Sequence, residues 1–422
     1  VRWGVRRSFA ALGALALCVI ASAPSQAGTP NSSDPQTGFR IANGQVPAQL
    51  AGNINPESIS LDIRWSGIEP CEAGSTPVCD DYSWNSTDNA FAAFRQQGLD
   101  ISNVRVTGPP SWATGRCHPT PPGTPHRRAI AFCPVRPNHY SAFQEFVRAL
   151  VTRYGPGTAS DVESFSWDNE PNIPKNWGGS RNQTKNAHEY SDQLVHFSAG
   201  AKAANPSVRI VAGEVAAGSA APSQGGGDRV KAWARDFTQY SHDQGRDGDF
   251  DALAIHAYSE VPRQVQVKID KYYELPGNHP ISVTEFGWAT RGPHNPNGWH
   301  CVRSEARQAH DFAETIKRVR EHIPAERIRS LVWFNGLDNA KDKAGVPCGD
   351  TDTKKHPGGW YTGGPGNLGP DQVNTYGIFK RPRNGEIGSA NDAVARCIAP
   401  YLHDAVDGDW DRPEPLVSPR CK

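Results

Sequence analysis

The chain has no surplus charge: 44 basic residues face 44 acidic ones over 422 positions. A protein that holds nucleic acid or an anionic membrane surface needs an excess of Lys and Arg, so neither is expected as a partner. Apolar runs are also scarce. The only long one, Phe9 to Ala23, is too short and too close to the first residue to serve as a membrane anchor. Arg2, Arg6 and Arg7 flank it on one side, and Ser25-Gln26-Ala27 offers a small-residue cleavage site on the other. Residues 1–27 therefore read as a signal peptide. Arg6-Arg7-Ser8-Phe9 partly matches a twin-arginine signal, and Sec export is equally open. Loss of the leader removes three arginines and leaves a net charge of about −3. Zinc spacings are absent too. No CxxC or HExxH occurs, and neither a metal nor an organic cofactor is expected.

What the chain does have begins with cysteine. Apart from Cys18 there are Cys71, Cys79, Cys117, Cys133, Cys301, Cys348, Cys397 and Cys421. An even set behind a leader implies disulfides and a secreted, extracellular protein. Neighbours in sequence suggest Cys71–Cys79, Cys117–Cys133, Cys301–Cys348 and Cys397–Cys421. Twelve Trp and eleven Tyr suit a carbohydrate partner, because a flat ring covers the C–H face of a sugar.

Residues 28–38 are rich in Gly, Pro, Ser, Asn and Asp and read as a disordered mature terminus. From Phe39 onward, strands and helices alternate. Phe39–Asn43 is a weak first strand, and Ile59–Trp65 and Ile101–Val106 follow as alternating ones. The later strands are the one ending at Glu170, Val208–Gly213, Phe250–Tyr258, the one carrying Glu285, and Ile328–Phe334. Helices are expected at Asp88–Gly98, His139–Tyr154, Ala187–Ala204, Arg229–Gly245, Val265–Tyr273, Ser304–His322 and Ser389–Leu402. Eight such units with no second core argue for a single-domain α/β protein, a (β/α)8 TIM barrel over residues 39–403. Residues 404–422 form a tail. Arg291–Val302 and Gly336–Thr375 follow strand C-termini, so they are long loops on the mouth side, where a Cys301–Cys348 bridge would staple them together.

Two stretches carry the chemistry. Phe165-Ser166-Trp167-Asp168-Asn169-Glu170-Pro171-Asn172 is a strand stopped by proline, with Asn169 and Glu170 at its tip. Ile281-Ser282-Val283-Thr284-Glu285-Phe286-Gly287-Trp288 delivers a second carboxylate in the same way. The C-terminal ends of barrel strands form the catalytic mouth, and two carboxylates there are what glycoside cleavage needs. Glu170 and Glu285 are the candidate catalytic residues. His256 and Tyr258, on the adjacent strand, are placed to donate to Glu285. Asn169 can address a sugar 2-hydroxyl, Trp333 can floor the subsite, and Trp65 and Trp112 can line the cleft.

Trp167-Asp168-Asn169-Glu170-Pro171 resembles the W-x-N-E-P motif of clan A glycoside hydrolases. Thr284-Glu285-Phe286-Gly287-Trp288 resembles their nucleophile strand, and Val332-Trp333-Phe334 their eighth. The resemblance runs from about residue 39 to 402. It is nearest to the cellulase- and β-xylosidase-type enzymes of actinobacteria, family thirty-nine included, without that family's accessory β-sandwich. It implies a retaining hydrolase of a poly- or oligosaccharide, monomeric, with Glu170 as acid/base and Glu285 as nucleophile. It further implies Asn169 on the 2-hydroxyl, Tyr258 on the nucleophile and Trp333 under the sugar. Many members carry an Arg on strand two, and Arg105 is the match. That register would make Ile101–Val106 strand two and Ala129–Phe132 strand three, with Phe39–Asn43 outside the barrel. A transglycosylase shares every residue named, and a non-catalytic carbohydrate-binding barrel is the reading from another class.

Overall fold

The computed structural model describes residues 36–41, 58–72, 82–114, 133–173, 176–180, 182–217, 226–259, 261–288 and 305–334. Eight parallel strands close into a barrel in sequence order. They are β1 Gln36–Ile41, β2 Ser58–Arg64, β3 Ile101–Thr107, β4 Ser164–Trp167, β5 Arg209–Ala216, β6 Ala252–His256, β7 Ile281–Phe286 and β8 Ile328–Trp333. β1 pairs with β2 on one side and β8 on the other, so it completes the barrel. This decides the strand register. β1 begins within the stretch expected to be disordered, and Arg105 lies on β3, not on a second strand. Ala129–Phe132, the helix expected at Ser389–Leu402, the two long loops and the tail lie outside the described residues, as does the leader.

The helices follow from their apolar spacing. Tyr140–Tyr154 buries Phe143, Phe146, Val147, Leu150, Val151 and Tyr154, a single stripe at 3–4-residue intervals. Gln183–Ala204 starts at Asn182, whose side chain accepts the Lys185 N–H. Asn85–Gln96, Gly226–Asp243, Pro262–Tyr273 and Glu305–His322 complete the outer layer. The main hydrophobic core sits between strands and helices.

Inside the barrel the filling is largely polar. Ser60 donates to Asn103 at 3.0 Å, and Asn103 donates to Ser164 at 3.0 Å, tying β2, β3 and β4 together. Above that layer stand the buried Arg40, Arg105, Ser166, Glu214, His256 and Glu285. Buried charges survive only when paired, so this interior fixes its side chains in place.

β5 has a break that matters for the site. Its register against β6 shifts between Ala212 and Val215. Gly213 at φ 95 and Glu214 at φ 41 form this bulge. Glycine adopts such a φ without steric cost. The sequence reading ended the strand at Gly213. The chain instead runs on to Ala216, and the extra residues leave Glu214 wholly buried among polar side chains.

Candidate active site

Four strand ends converge on one imidazole. His256 Nδ1 lies 2.9 Å from Glu170 Oε1 and 3.3 Å from Glu285 Oε2, while Nε2 lies 2.9 Å from Glu214 Oε2. Two oxygens at those distances from one nitrogen are at most about 6 Å apart, short of the ~6.5–9.5 Å between carboxyl groups of inverting glycosidases. Burial alone would lower the basicity of His256. Glu285, Glu170 and Glu214 outweigh it and raise the pKa to about 9.

Glu285, on β7, is 6 % exposed. Arg105 Nη1 donates to its Oε1 at 2.8 Å, and Tyr258 donates to its Oε2 at 3.0 Å. Arg40 Nη1 stands 3.7 Å from Oε1. Arg105 is itself clamped by Asp62, with Nε to Oδ1 at 2.9 Å and Nη2 to Oδ2 at 2.8 Å. That planar fork onto a carboxylate is a geometry lysine cannot reproduce. Nη1 also donates to Asn169 Oδ1. An arginine has only donors, so the Asn169 oxygen must face it, and the amide N–H groups are left to turn elsewhere.

Glu170 follows β4 in a tight left-handed turn. Asp168 has φ 63 and Glu170 φ 50, values that cost a non-glycine residue energy. Asp168 is 1 % exposed, and its Oδ1 accepts the Asn169 N–H at 2.6 Å. Burial pushes its carboxyl up to about 8, against the pull of the Asn169 N–H and Arg105. The Glu170 N–H donates to the Glu214 carbonyl at 3.1 Å, and Asn176 donates to Glu170 Oε2 at 2.8 Å. The side chain of Glu170 is 19 % exposed, that of Glu285 only 8 %.

Glu170, Glu285, Asn169, His256, Tyr258 and Arg105 thus come together in one hydrogen-bonded group. Three tryptophans do not. Trp333 is 0 % exposed and lies against Phe286, Trp288 and Phe312. Phe312 belongs to the helix Glu305–His322, so Trp333 faces the outer layer and does not floor a subsite. Successive strand residues face opposite ways, and the next residue, Phe334, puts its ring 6.2 Å from that of Tyr258. Trp65 is also fully buried, stacked on Phe143 and Phe146. Trp112 is half-buried, edge-on to Trp65 and His139, with its Nε1 on the Glu69 carbonyl. Trp65 thus packs against the helix Tyr140–Tyr154, and Trp112 is held against Trp65.

Four residues at this site were not assigned from sequence: Arg40, Asp62, Asn176 and Glu214. Glu214 had a readable signal. It is a carboxylate at the end of an apolar strand, like Glu170 and Glu285, but it follows a glycine that looked like a stop.

A family model described as "Glycosyl hydrolase catalytic core" matches residues 120–346, more than half of the chain. The chain belongs to that family. Solved structures give the glycosyl hydrolase its fold relatives. One is a family 39 glycoside hydrolase from the gut symbiont Bacteroides cellulosilyticus WH2, with a TM-score of 0.53 and 14 % identity over 87 % of this chain. The present chain spans only 64 % of that enzyme. Another is a GH39 β-xylosidase from Caulobacter crescentus, with a TM-score of 0.50 and 15 % identity over 84 % of this chain and 69 % of the other. A third, the beta-glycosidase BGL167, has a TM-score of 0.54 and 13 % identity over 92 % of this chain and 100 % of its own. At these identities the likeness is one of fold. No curated protein matches.

Proposed function

We propose that this glycosyl hydrolase cleaves glycosidic bonds of a poly- or oligosaccharide with retention, by double displacement. Glu285 is the nucleophile and Glu170 the acid/base. The observation that carries this reading is the shared contact at His256 Nδ1, which keeps the facing oxygens of the two carboxylates no more than about 6 Å apart, a bound that accommodates the ~5–5.5 Å of retaining enzymes. The surroundings support the division of roles. Glu285 takes the Arg105 and Tyr258 donors that an anionic nucleophile needs. Glu170 is the more exposed of the two, where a leaving group departs and water enters.

In the first step Glu285 attacks the anomeric carbon while Glu170 gives its proton to the glycosidic oxygen. In the second, Glu170 takes a proton from water, and that water displaces Glu285. Asn169, its oxygen engaged by Arg105, offers its amide to the 2-hydroxyl. Phe334, beside Tyr258, takes the apolar role first assigned to Trp333. Among the fold relatives are a β-xylosidase and a beta-glycosidase, so β-xylosides are the first substrates to try, with other β-glycosides beside them. We further propose that the protein is secreted and acts as a monomer. The leader supports secretion, and so do Cys71 and Cys133, which are both disulfide-bonded.

The test is to follow hydrolysis of phenyl β-xyloside and phenyl β-glucoside by proton NMR, alongside reducing-sugar release from a polysaccharide panel. A β-anomer formed first and then mutarotating is expected. An α-anomer formed first contradicts retention, and no release from any substrate contradicts the hydrolase reading.

A further inference from the structure

The deepest carboxylate of the site is not one of the proposed catalytic pair. Glu214 is 0 % exposed, yet all its donors are in place. Ser166 Oγ donates to Oε1 at 2.7 Å, and Thr284 Oγ1 to Oε2 at 2.6 Å. Arg40 Nη2 stands 3.4 Å from Oε1 and Arg105 Nη1 3.7 Å from Oε2. Burial would raise its pKa, but Arg40, His256 and Arg105 hold it well below the usual carboxylate range. A carboxylate held ionised only accepts, so His256 Nε2 must carry the hydrogen between them. The opposite nitrogen faces Glu170 and Glu285 together. A bare lone pair there would repel both carboxylates, whereas a second N–H can be shared between them.

We propose that Glu214 is a positioning residue for the acid/base step: it keeps His256 doubly protonated, so that both proposed catalytic glutamates hang from one cationic ring as a proton-holding unit, in which the ring's Nδ1 proton is the one Glu170 receives and passes to the glycosidic oxygen. This rests on the retaining reading of Glu170 and Glu285. The charged and titratable groups around the ring are Glu170 beyond β4, Glu214 on β5, Tyr258 beyond β6 and Glu285 on β7. Behind the carboxylates stand Arg40 on β1 and Arg105 on β3. Glu214 acts on Glu170 by a second route as well, through its own carbonyl and the Glu170 N–H. The backbone contact explains why the residue sits in a left-handed bulge: the same distortion presents a carbonyl to β4 and a carboxylate to β6.

Removing the Glu214 charge must lower the affinity of this unit for protons whichever member carries them. A charge at this range moves a neighbour by about one to three pH units. Glu214→Gln is therefore expected to move the alkaline limb of kcat/KM for phenyl β-xyloside to lower pH by at least about one unit. kcat should fall and KM should change little. Glu214→Asp keeps the charge and is expected to keep the limb near its original position. Phenol is a poor leaving group, so the rate reports proton donation.

The direct readout needs no substrate. Nitrogen-15 NMR of histidine-labelled protein should show His256 as an imidazolium at pH 7.5. In Glu214→Gln it should show a neutral ring protonated on Nε2. A neutral His256 in the unaltered protein overturns the proposal even if no variant folds. So does an active Glu214→Gln variant with an unmoved limb. Absence of turnover in the unaltered protein speaks against the retaining reading and leaves the ring's charge to be decided by NMR.

Discussion

At the scale of single residues, what distinguishes the site from the core is who donates to whom. Tyr258 is 8 % exposed and would pass for a core aromatic, but its hydroxyl donates to Glu285 Oε2. Hydrogen bonds to charged groups are worth about 1.5–3 kcal/mol. Tyr258→Phe is therefore expected to lower kcat/KM by roughly 10- to 100-fold with an unchanged melting temperature, read by steady-state kinetics and calorimetry. Trp333 should behave the other way round. It packs on Phe286 and Phe312, so Trp333→Phe should cost about 1–3 kcal/mol in urea unfolding, while the folded fraction turns over substrate near the original rate. A variant that loses turnover but not stability would restore Trp333 to the subsite. Sequence could not separate these two aromatics. Both stand at strand ends, and only the facing decides. For Trp333 that depended on where β8 stops by a single residue.

At the scale of elements, the strands end where proline, glycine and bulges allow. The eightfold alternation and the last five barrel strands were legible, because apolar runs of strand length alternated with helical stripes, whereas the register of the first three stayed open until β1 was seen to pair with β2 and β8. The carboxylates Glu170 and Glu285 were legible because each ended such a run. Glu214 was not, because its strand continues through a two-residue bulge, and a glycine in a strand reads equally as a stop. Arg40 was hidden in a short strand whose pairing with β8 is a long-range fact. The bulge itself is testable. A Cβ on Gly213 would meet Leu253 Cδ1 at 3.0 Å and Val215 Cγ2 at 3.1 Å, at a φ that side chains rarely adopt. Gly213→Ala should destabilise the protein by about 1–3 kcal/mol in denaturant unfolding. It should also reduce turnover, because Glu214 moves with it. A stable, fully active variant would mean that the bulge has no hold on the site.

At the scale of the whole molecule, closing the barrel gathers charge that the chain as a whole does not show, and it makes stability depend on pH. Asp168 has its pKa raised to about 8 from an ordinary value near 3.8. Its contribution is intact below the ordinary value and is lost as pH rises toward 8. His256, raised to about 9 from 6.5, has the same sign, and its contribution is lost between those values. The melting temperature should therefore fall on the alkaline side. Asp168→Asn keeps an oxygen for the Asn169 N–H and suits a left-handed φ, so it should flatten the decline between pH 5 and 8 and melt above the original protein at pH 8. Parallel melting curves for the two proteins would show that Asp168 is ionised in the fold. Closure also brings together Glu170 and Glu285, which lie far apart in sequence, and on that meeting the proposed mechanism depends. The most direct measurement runs Glu170→Ala and Glu285→Ala separately with a dinitrophenyl β-glycoside and azide, reading the glycosyl azide anomer by NMR. Without Glu170 the activated dinitrophenolate still leaves to solvent as Glu285 bonds to the anomeric carbon, and azide, which needs no base, should then displace Glu285, rescue turnover and give the β-azide. Without Glu285 no covalent intermediate forms, and azide should enter from the opposite face to give the α-azide. Exchanged anomers would reverse the two roles, and near-original hydrolysis by either variant would contradict a two-carboxylate mechanism at these positions.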